Sequence, residues 1–411
     1  MKNCVIIGGG VIGLCSAYYL AKEGHEVTIV DQSDLKTGCS YGNAGMIVPS
    51  HLIPLAQPGM ITRGVKWMFN SKSPFYVKPR FSMELFNWGR SFYKYANQTH
   101  VHRSMPALKD LSLFSKELYQ DFAKESDSFQ YQERGLLMLF KTHKVGEEEI
   151  YAGKEAQKLG IEVDFLNKEE VLSLESGLNL NAIGGVYYKG DAHLSPNQFM
   201  EFLRAELERM KVSFVSNASM IDFKINNGKV EEVVTSSRSV LCDELIISAG
   251  SWSPSIASKL GIKLSILPGK GYSFNIEDIR DKPTIPSILC EGKVAVTPIG
   301  DKIRFGGTME ITHTKDHMIN RNRIQGIVDT VNQFYPDIQL IQPSSREIWH
   351  GFRPCTPTGL PLISRSEKVN NVIVSTGHAM MGLSLGPASG KLVQELVDNQ
   401  KTSVDVSQFS L

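Results

Sequence analysis

The short, unbroken apolar run Val5-Ile6-Ile7 is rich in β-branched residues and predicts a strand buried on both faces of a parallel sheet. Helical spacing of Leu14, Ala17, Tyr18 and Ala21 follows, Gly24 stops it, and 26–30 reads as a second strand. Farther along, apolar periodicity predicts helices over 108–124, 198–210 and 387–398, the last amphipathic with Pro387 in its first turn. Strands are predicted around 135–141, 185–188, 212–214, 229–235, 241–248 and 371–376. The stretch 262–308 is strand-rich, with a turn at Ile299-Gly300-Asp301. No internal repeat or low-complexity linker breaks this pattern.

Between the first strand and the first helix stands Gly8-Gly9-Gly10-Val11-Ile12-Gly13. The first glycine permits a tight turn, Gly10 lets backbone approach a pyrophosphate, and Gly13 lets the helix pack against the strand. The helix start, with Val11 and Ile12, presents free amides to the anion. Asp31 ends the second strand, followed by Gln32; an acid here accepts from a ribose diol and repels a 2′-phosphate, which implies FAD or NAD and excludes NADP.

The chain then leaves the sheet through a loop of small residues, where Ser40, Asn43, Ala44, Gly45 and Met46 place backbone against a flat ligand. The strand predicted at 241–248 returns to the crevice through Ala249, Gly250 and Trp252. The last strand leads into a glycine-punctuated loop holding Gly377, His378, Met381, Gly382, Leu383 and Ser384, and the closing helix then aims its positive end at the crevice. Three remote segments converging on one long cofactor suit FAD better than NAD. The predicted fold is therefore α/β (α+β), with a Rossmann-like FAD-binding domain from 1–48, 190–260 and 345–411. A separate substrate domain of mixed β-sheet plus helices takes 49–189 and 261–344.

With 44 basic against 43 acidic residues, net charge gives no basis for a nucleic-acid partner. The six cysteines include no Cys-x-x-Cys pair, and the glycines after Ile7 argue against a signal peptide, so a cytoplasmic setting is expected. Segment 59–95 interleaves basic residues and aromatics around the lone acid Glu84. It reads as a substrate-domain helix pair with a solvated basic face; the alternative is a peripheral contact with the inner face of the cytoplasmic membrane, a partner subunit or an electron acceptor.

These features resemble the D-amino-acid oxidase superfamily of FAD-dependent oxidoreductases, of glutathione-reductase/D-amino-acid-oxidase type, and most closely the small subunits of bacterial D-amino-acid dehydrogenases. The matching stretches are 5–13, Asn43-Ala44-Gly45, Ala56-Gln57-Pro58-Gly59, Lys66-Trp67-Met68-Phe69, Lys270-Gly271-Tyr272-Ser273, Gly351-Phe352-Arg353-Pro354, Thr356-Pro357 and Gly377-His378 with Gly382. The resemblance implies that Arg353 anchors a substrate carboxylate and that His378 lies beside the flavin. It also implies that Met220 meets adenine with its backbone, and that hydride passes from the α-carbon of a neutral amine to flavin N5. The resulting imine hydrolyses to a keto acid.

The expected substrate is a D-amino acid or a cyclic imino acid such as proline or hydroxyproline. Rival readings are a glycine- or sarcosine-type oxidase that makes hydrogen peroxide, and an electron-transferring flavoprotein subunit. Quinone, oxygen or a partner protein remain open as acceptor. Tyr272 is a candidate cavity residue or a buried sheet tyrosine; His51 and His193 are weaker candidates. His313 and His317, four apart, would share a helix face, but no acid or cysteine partner stands at ligand spacing and no metal is expected. Thr358 stands where many relatives carry aspartate, and Ala379 where many carry glycine. No cysteine follows Cys355, so FAD is expected to be non-covalent.

Overall fold

Val5-Ile6-Ile7 lies at the heart of a parallel sheet: Asn3–Ile7 pairs with Glu26–Val30 on one side and Glu244–Ile247 on the other. The computed structural model describes residues 1–68, 72–78, 80–277 and 279–411, the side chains of 66–68 excepted. Across this first sheet the strands run Leu362–Arg365, Val372–Thr376, Glu244–Ile247, Asn3–Ile7, Glu26–Val30 and Ser213–Val215. On one face the helices Val11–Lys22, Pro196–Arg209, Gln98–Glu125 and Gly386–Val397 build an apolar core around Leu14, Tyr119, Phe199 and Val393. The other face is covered by the antiparallel ribbon Met220–Asn226, Lys229–Thr235 and Ser239–Leu241 through Val230 and Val233.

The second sheet runs Trp349–Cys355, Leu267–Ile276, Lys302–Ile311, Val294–Ile299, Ser287–Leu289, Leu136–Phe140, Gly184–Tyr188 and Val163–Asn167. Helix Arg321–Phe334 packs on it through Ile324, Ile327 and Val331.

Several expectations are revised. The strand predicted at 241–248 is two pieces: Ser239–Leu241 closes the ribbon and Glu244–Ile247 enters the sheet. The closing helix is not amphipathic in place, since all of it but Lys391 and Leu396 is buried. Helix Gln98–Glu125 is longer than 108–124 and absorbs Pro106. Helices His143–Lys158 and Arg321–Phe334 were not anticipated. Arg353, expected between a strand and a turn, sits inside Trp349–Cys355, which pairs with Leu267–Ile276 in the second sheet although 345–411 had been assigned to the FAD-binding domain. Pro354 is tolerated there because the strand is an edge. Segment 59–95 holds the helices Met60–Met68 and Met83–Tyr95; Phe69 and the side chains of Lys66 and Trp67 lie outside the described residues. No helix among the described residues is long and apolar enough to cross a membrane.

Candidate active site

The crevice opens at the carboxyl ends of the parallel strands. Gly8 has φ +111°, and a Cβ there would stand 2.6 Å from the Ser248 carbonyl oxygen, while a Cβ on Gly13 would stand 1.8 Å from that of Gly8. Backbone therefore meets backbone at this turn, which only glycine permits. Helix Val11–Lys22 starts at Gly10, which has no side chain to cap it, and carries no acid in its first turn, so its positive end suits a pyrophosphate. Ser40 Oγ accepts from the Val11 amide at 3.0 Å. Asp31 accepts from the Gly9 amide at 2.7 Å and from Ser33 N and Oγ at 2.7 and 2.6 Å. These donors orient its carboxylate without exhausting its lone pairs.

A continuous cavity of about 1360 Å³ runs from this turn into the second sheet. Its size exceeds the roughly 300–1,000 Å³ of an ordinary ligand site, leaving room for a dinucleotide and a substrate together. Gln32, Ala44, Met46, Met220, Ala249, Gly250, Trp252, Met381 and Gly382 border it. Gly13, Gly45 and Gly377 do not; the last two, at φ +86° and +80°, turn the chain behind the lining.

The loops 40–48 and 377–385 are stitched together. Val48 N donates to Ser384 Oγ at 2.9 Å, and the Asn43 side-chain amide reaches the Met380 carbonyl at 3.5 Å. Arg304, which the sequence reading missed, holds the first loop from below: Nη1 donates to the carbonyls of Tyr41 and Asn43 at 3.0 and 2.7 Å. Ser273 Oγ adds a bond to the Gly42 carbonyl at 2.8 Å. The Trp349 ring lies over Gly42, where a Cβ would come within 1.9 Å of it.

Helix Gly386–Val397 begins beside this loop pair with no acid in its first turn; its N-cap Leu385 offers no side-chain bond, and among the described residues the only side chain accepting from a first-turn amide is Ser115 Oγ, from that of Ala388 at 3.4 Å. Its approach is fixed by Gly390, where a Cβ would fall 2.5 Å from the carbonyl carbon of Cys15. The buried His378 places Nε2 2.8 Å from Ser389 Oγ, and burial pushes its imidazole down to about 3, so it stays neutral. Ala379 takes φ +48°, a conformation that favours glycine.

Arg353 is half-buried and borders the cavity; its Nη1 donates to the Thr308 carbonyl at 2.5 Å. Two local irregularities permit this. A register shift between Lys270 and Tyr272 bulges the neighbouring strand, and Thr308 itself has φ +59°. Burial lowers the guanidinium's affinity for its proton; the titratable groups beside it are Cys355 and Cys39, thiols that burial keeps neutral, and no carboxylate among the described residues pairs with it. Tyr272 is both a buried sheet tyrosine and a residue bordering the cavity, but its hydroxyl is committed elsewhere: it lies 3.2 Å from Glu310 Oε1 and accepts from the Asn320 amide at 3.1 Å.

His193 is buried away from the cavity, with Nδ1 unpartnered among the described residues. His313 and His317 share no helix face, because 312–320 is irregular. Among the described residues no group of three or more His, Cys, Asp or Glu is poised for a metal. Beyond Arg304, the sequence reading also missed Ser50 and Asp191, whose contact spans 141 positions and leaves no local signature.

The turn, the acid at the second strand and the two stitched loops fit FAD, and comparison with known proteins agrees. The model of the FAD dependent oxidoreductase (DAO) family matches residues 3–396, and the chain belongs to that family. It is an FAD-dependent oxidoreductase with the family's α/β fold. It is similar to D-amino acid dehydrogenase of Helicobacter pylori, 28% identical over 412 residues covering 100% of this chain and 98% of that one. It is also similar to D-amino acid dehydrogenase of Vibrio atlanticus (strain LGP32), 29% identical over 418 residues covering 99% and 98%. Among solved structures, glycine oxidase from Geobacillus kaustophilus matches with a TM-score of 0.80 and 22% identity over 100% of this chain and 99% of that one. L-proline dehydrogenase from P. horikoshii matches with a TM-score of 0.76 and 19% identity over 100% and 96%.

Proposed function

We propose that the chain oxidises an amino acid at its α-carbon, its substrate a D-amino acid or a cyclic imino acid such as proline or hydroxyproline. The observation that carries this reading is Arg353, a cation at the cavity wall that no carboxylate pairs with among the described residues. Burying a charge without a partner is costly, and an arriving carboxylate relieves that cost through two parallel hydrogen bonds. With Thr308 holding one end of the guanidinium, the bound acid and its α-carbon have a fixed place. Bound non-covalently, FAD supplies the hydride acceptor. The amino end of Gly386–Val397, beside the 377–385 loop, favours negative charge arriving there. The names of the H. pylori and V. atlanticus relatives support an amino-acid substrate.

Anaerobic bleaching of the flavin spectrum by a panel of amino acids tests the reading; no bleaching by any of them overturns it. Arg353→Leu should raise KM while leaving FAD bound, since truncating one partner of such a pair costs about 2–5 kcal/mol, or about thirty-fold to several thousand-fold. Peroxide in air identifies the glycine- or sarcosine-type oxidase. Arg353 speaks against a mere electron-transferring subunit, which has no use for a carboxylate clamp.

As the two units we take 1–48, 190–260 and the chain beyond Cys355 as FAD-binding, with Trp349–Cys355 joining 49–189 and 261–344. We place the protein in the cytoplasm, peripheral on an anionic membrane face. Phe81, Met83, Phe86 and Tyr93 are exposed, and exposed Arg90 and Lys94 lie among them. Co-sedimentation with phosphatidylglycerol vesicles, lost in Phe86→Asp, is expected; no binding to vesicles removes this part alone.

A further inference from the structure

Ser50 and His51 border the cavity, and behind them lies Asp191, 1% exposed. Among the described residues no cation pairs with this carboxylate: the one acting on its charge from a distance is Lys116, which is itself bonded to Glu133 at 2.9 Å. Both carboxylate oxygens turn to one residue. Oδ1 accepts from the Ser50 amide at 3.1 Å and Oδ2 from Ser50 Oγ at 2.5 Å, while Ser50 Oγ stands 3.2 Å from His51 Nδ1. With its proton directed at Asp191, the serine oxygen can only accept from the imidazole, so the proton of His51 sits on Nδ1. Nε2 is then a bare acceptor, and nothing among the described residues engages it.

We propose that Asp191, Ser50 and His51 form a proton relay that takes the proton from the substrate's ammonium group before the α-carbon is oxidised. This rests on the amino-acid reading above. An ammonium nitrogen has no lone pair to push hydride from the neighbouring carbon, so the amine must first be neutral.

In the relay, His51 Nε2 bonds the departing ammonium proton as the substrate's N–H bond breaks. The Nδ1–H bond breaks and its proton passes to Ser50 Oγ, whose own proton passes to Asp191 Oδ2. No electrons change owner. One ammonium and one carboxylate become one amine and one carboxylic acid, and the imidazole ends neutral with its tautomer exchanged. His51 is the group that touches substrate; Asp191 acts through it.

Burial raises the Asp191 carboxyl to about 7 against the pull of its Ser50 bonds, while burial lowers the His51 imidazole to about 4. The carboxyl is therefore a reservoir for the proton and the imidazole only a conduit. Around them stand Tyr188 of Gly184–Tyr188, which burial keeps a neutral phenol, and the ion pair of Lys293 with Glu149 on His143–Lys158 at 2.8 Å. Glu149 raises and Lys293 lowers the His51 proton affinity. A purely structural role for Ser50, tying 48–52 to the turn before Ala192, would not depend on any proton.

The test is the rate of anaerobic flavin bleaching at saturating amino acid as a function of pH. The wild-type rate should rise through neutrality. In Asp191→Asn and Ser50→Ala that limb should move about one unit or more toward alkaline pH, about a tenfold loss at neutral pH, and Ser50→Thr should restore it. Nitrogen NMR of oxidised, FAD-bound protein gives a readout without turnover: the His51 proton should move from Nδ1 to Nε2 as pH falls, and stay fixed in Asp191→Asn. An unmoved limb in Ser50→Ala that still binds FAD, or a tautomer indifferent to pH, overturns the relay. If no amino acid bleaches the flavin, the substrate reading has failed, and the tautomer measurement still decides whether the three residues are coupled.

Discussion

Gly271 and Arg353 share one space: a methyl group at Gly271 would lie 2.1 Å from Nη1 and 2.4 Å from Cζ of the arginine. Gly271→Ala should therefore push the guanidinium off the Thr308 carbonyl without touching the FAD crevice. Misplacing a positioning group by about 1 Å costs up to about a hundredfold, so KM for the amino acid should climb by about ten- to a hundredfold while FAD affinity holds. Steady-state kinetics with a parallel FAD titration checks this, and an unchanged KM would remove the clamp.

Legibility in the sequence followed locality. The opening strand, glycine turn, helix and Asp31 sit within one βαβ unit, and their structure matches the pattern almost residue for residue. Arg353 was legible as a motif but not in its setting, because Pro354 argues against a strand unless that strand is an edge, and edges are set by distant pairing. The closing helix misled in another way: its polar residues Ser389, Gln394 and Glu395 read as a solvent face, yet all three are buried. Glu395 is held by Ser403 and Ser389 by His378, contacts that no period reveals. Arg304 carried no signal at all, since an arginine in a strand is ordinarily solvent-facing and its partners Tyr41 and Asn43 are over 260 residues away.

That arginine is the next thing to remove. Arg304 Nε also donates to Asn275 Oδ1 at 2.9 Å and Nη2 to Asn197 Oδ1 at 3.3 Å, so Arg304→Met strips hydrogen bonds from two loop carbonyls and two side chains at once. Each buried acceptor left bare costs about 1–3 kcal/mol, and the affected carbonyls belong to the loop facing the flavin. The variant should fold but bind FAD about ten- to a hundredfold more weakly, measured by fluorescence titration of the apoprotein. Full FAD affinity would show that the loop holds its shape without the arginine.

Ala379→Gly should stabilise the protein, the reverse of the usual sign. Ala379 occupies φ +48°, where an L side chain costs about 1–2 kcal/mol, while glycine's extra freedom in the unfolded chain returns about 0.5–1 kcal/mol. A net gain of about 0.5 kcal/mol is expected in urea denaturation of the holoprotein. A lowered midpoint would mean that the methyl group makes a contact worth more than the strain.

Acid should weaken the fold earlier than carboxylate protonation alone requires. Burial holds His51, His193 and His378 at about 4, about 4 and about 3, against 6.5 for a free imidazole. Between those values the unfolded chain binds protons that the native state refuses, so stability is full above the free value and falls as pH drops through it. Asp191 works in the opposite direction, because burial lifts it from 3.8 to about 7 and the native state alone holds that proton in the same window. Among these four, three groups against one leave a net loss of at most about 2.7 kcal/mol per pH unit below about pH 6.5; the lowered His350 adds to it, and the raised carboxyls of Glu175 and Glu310 subtract from it. Urea midpoints taken between about pH 7.5 and about pH 5 should show this slope, and Asp191→Asn, which abolishes the opposing contribution, should steepen it. A flat profile in that interval would mean that the native protein binds as many protons as the unfolded chain, with about two of the three imidazoles charged inside it to offset Asp191.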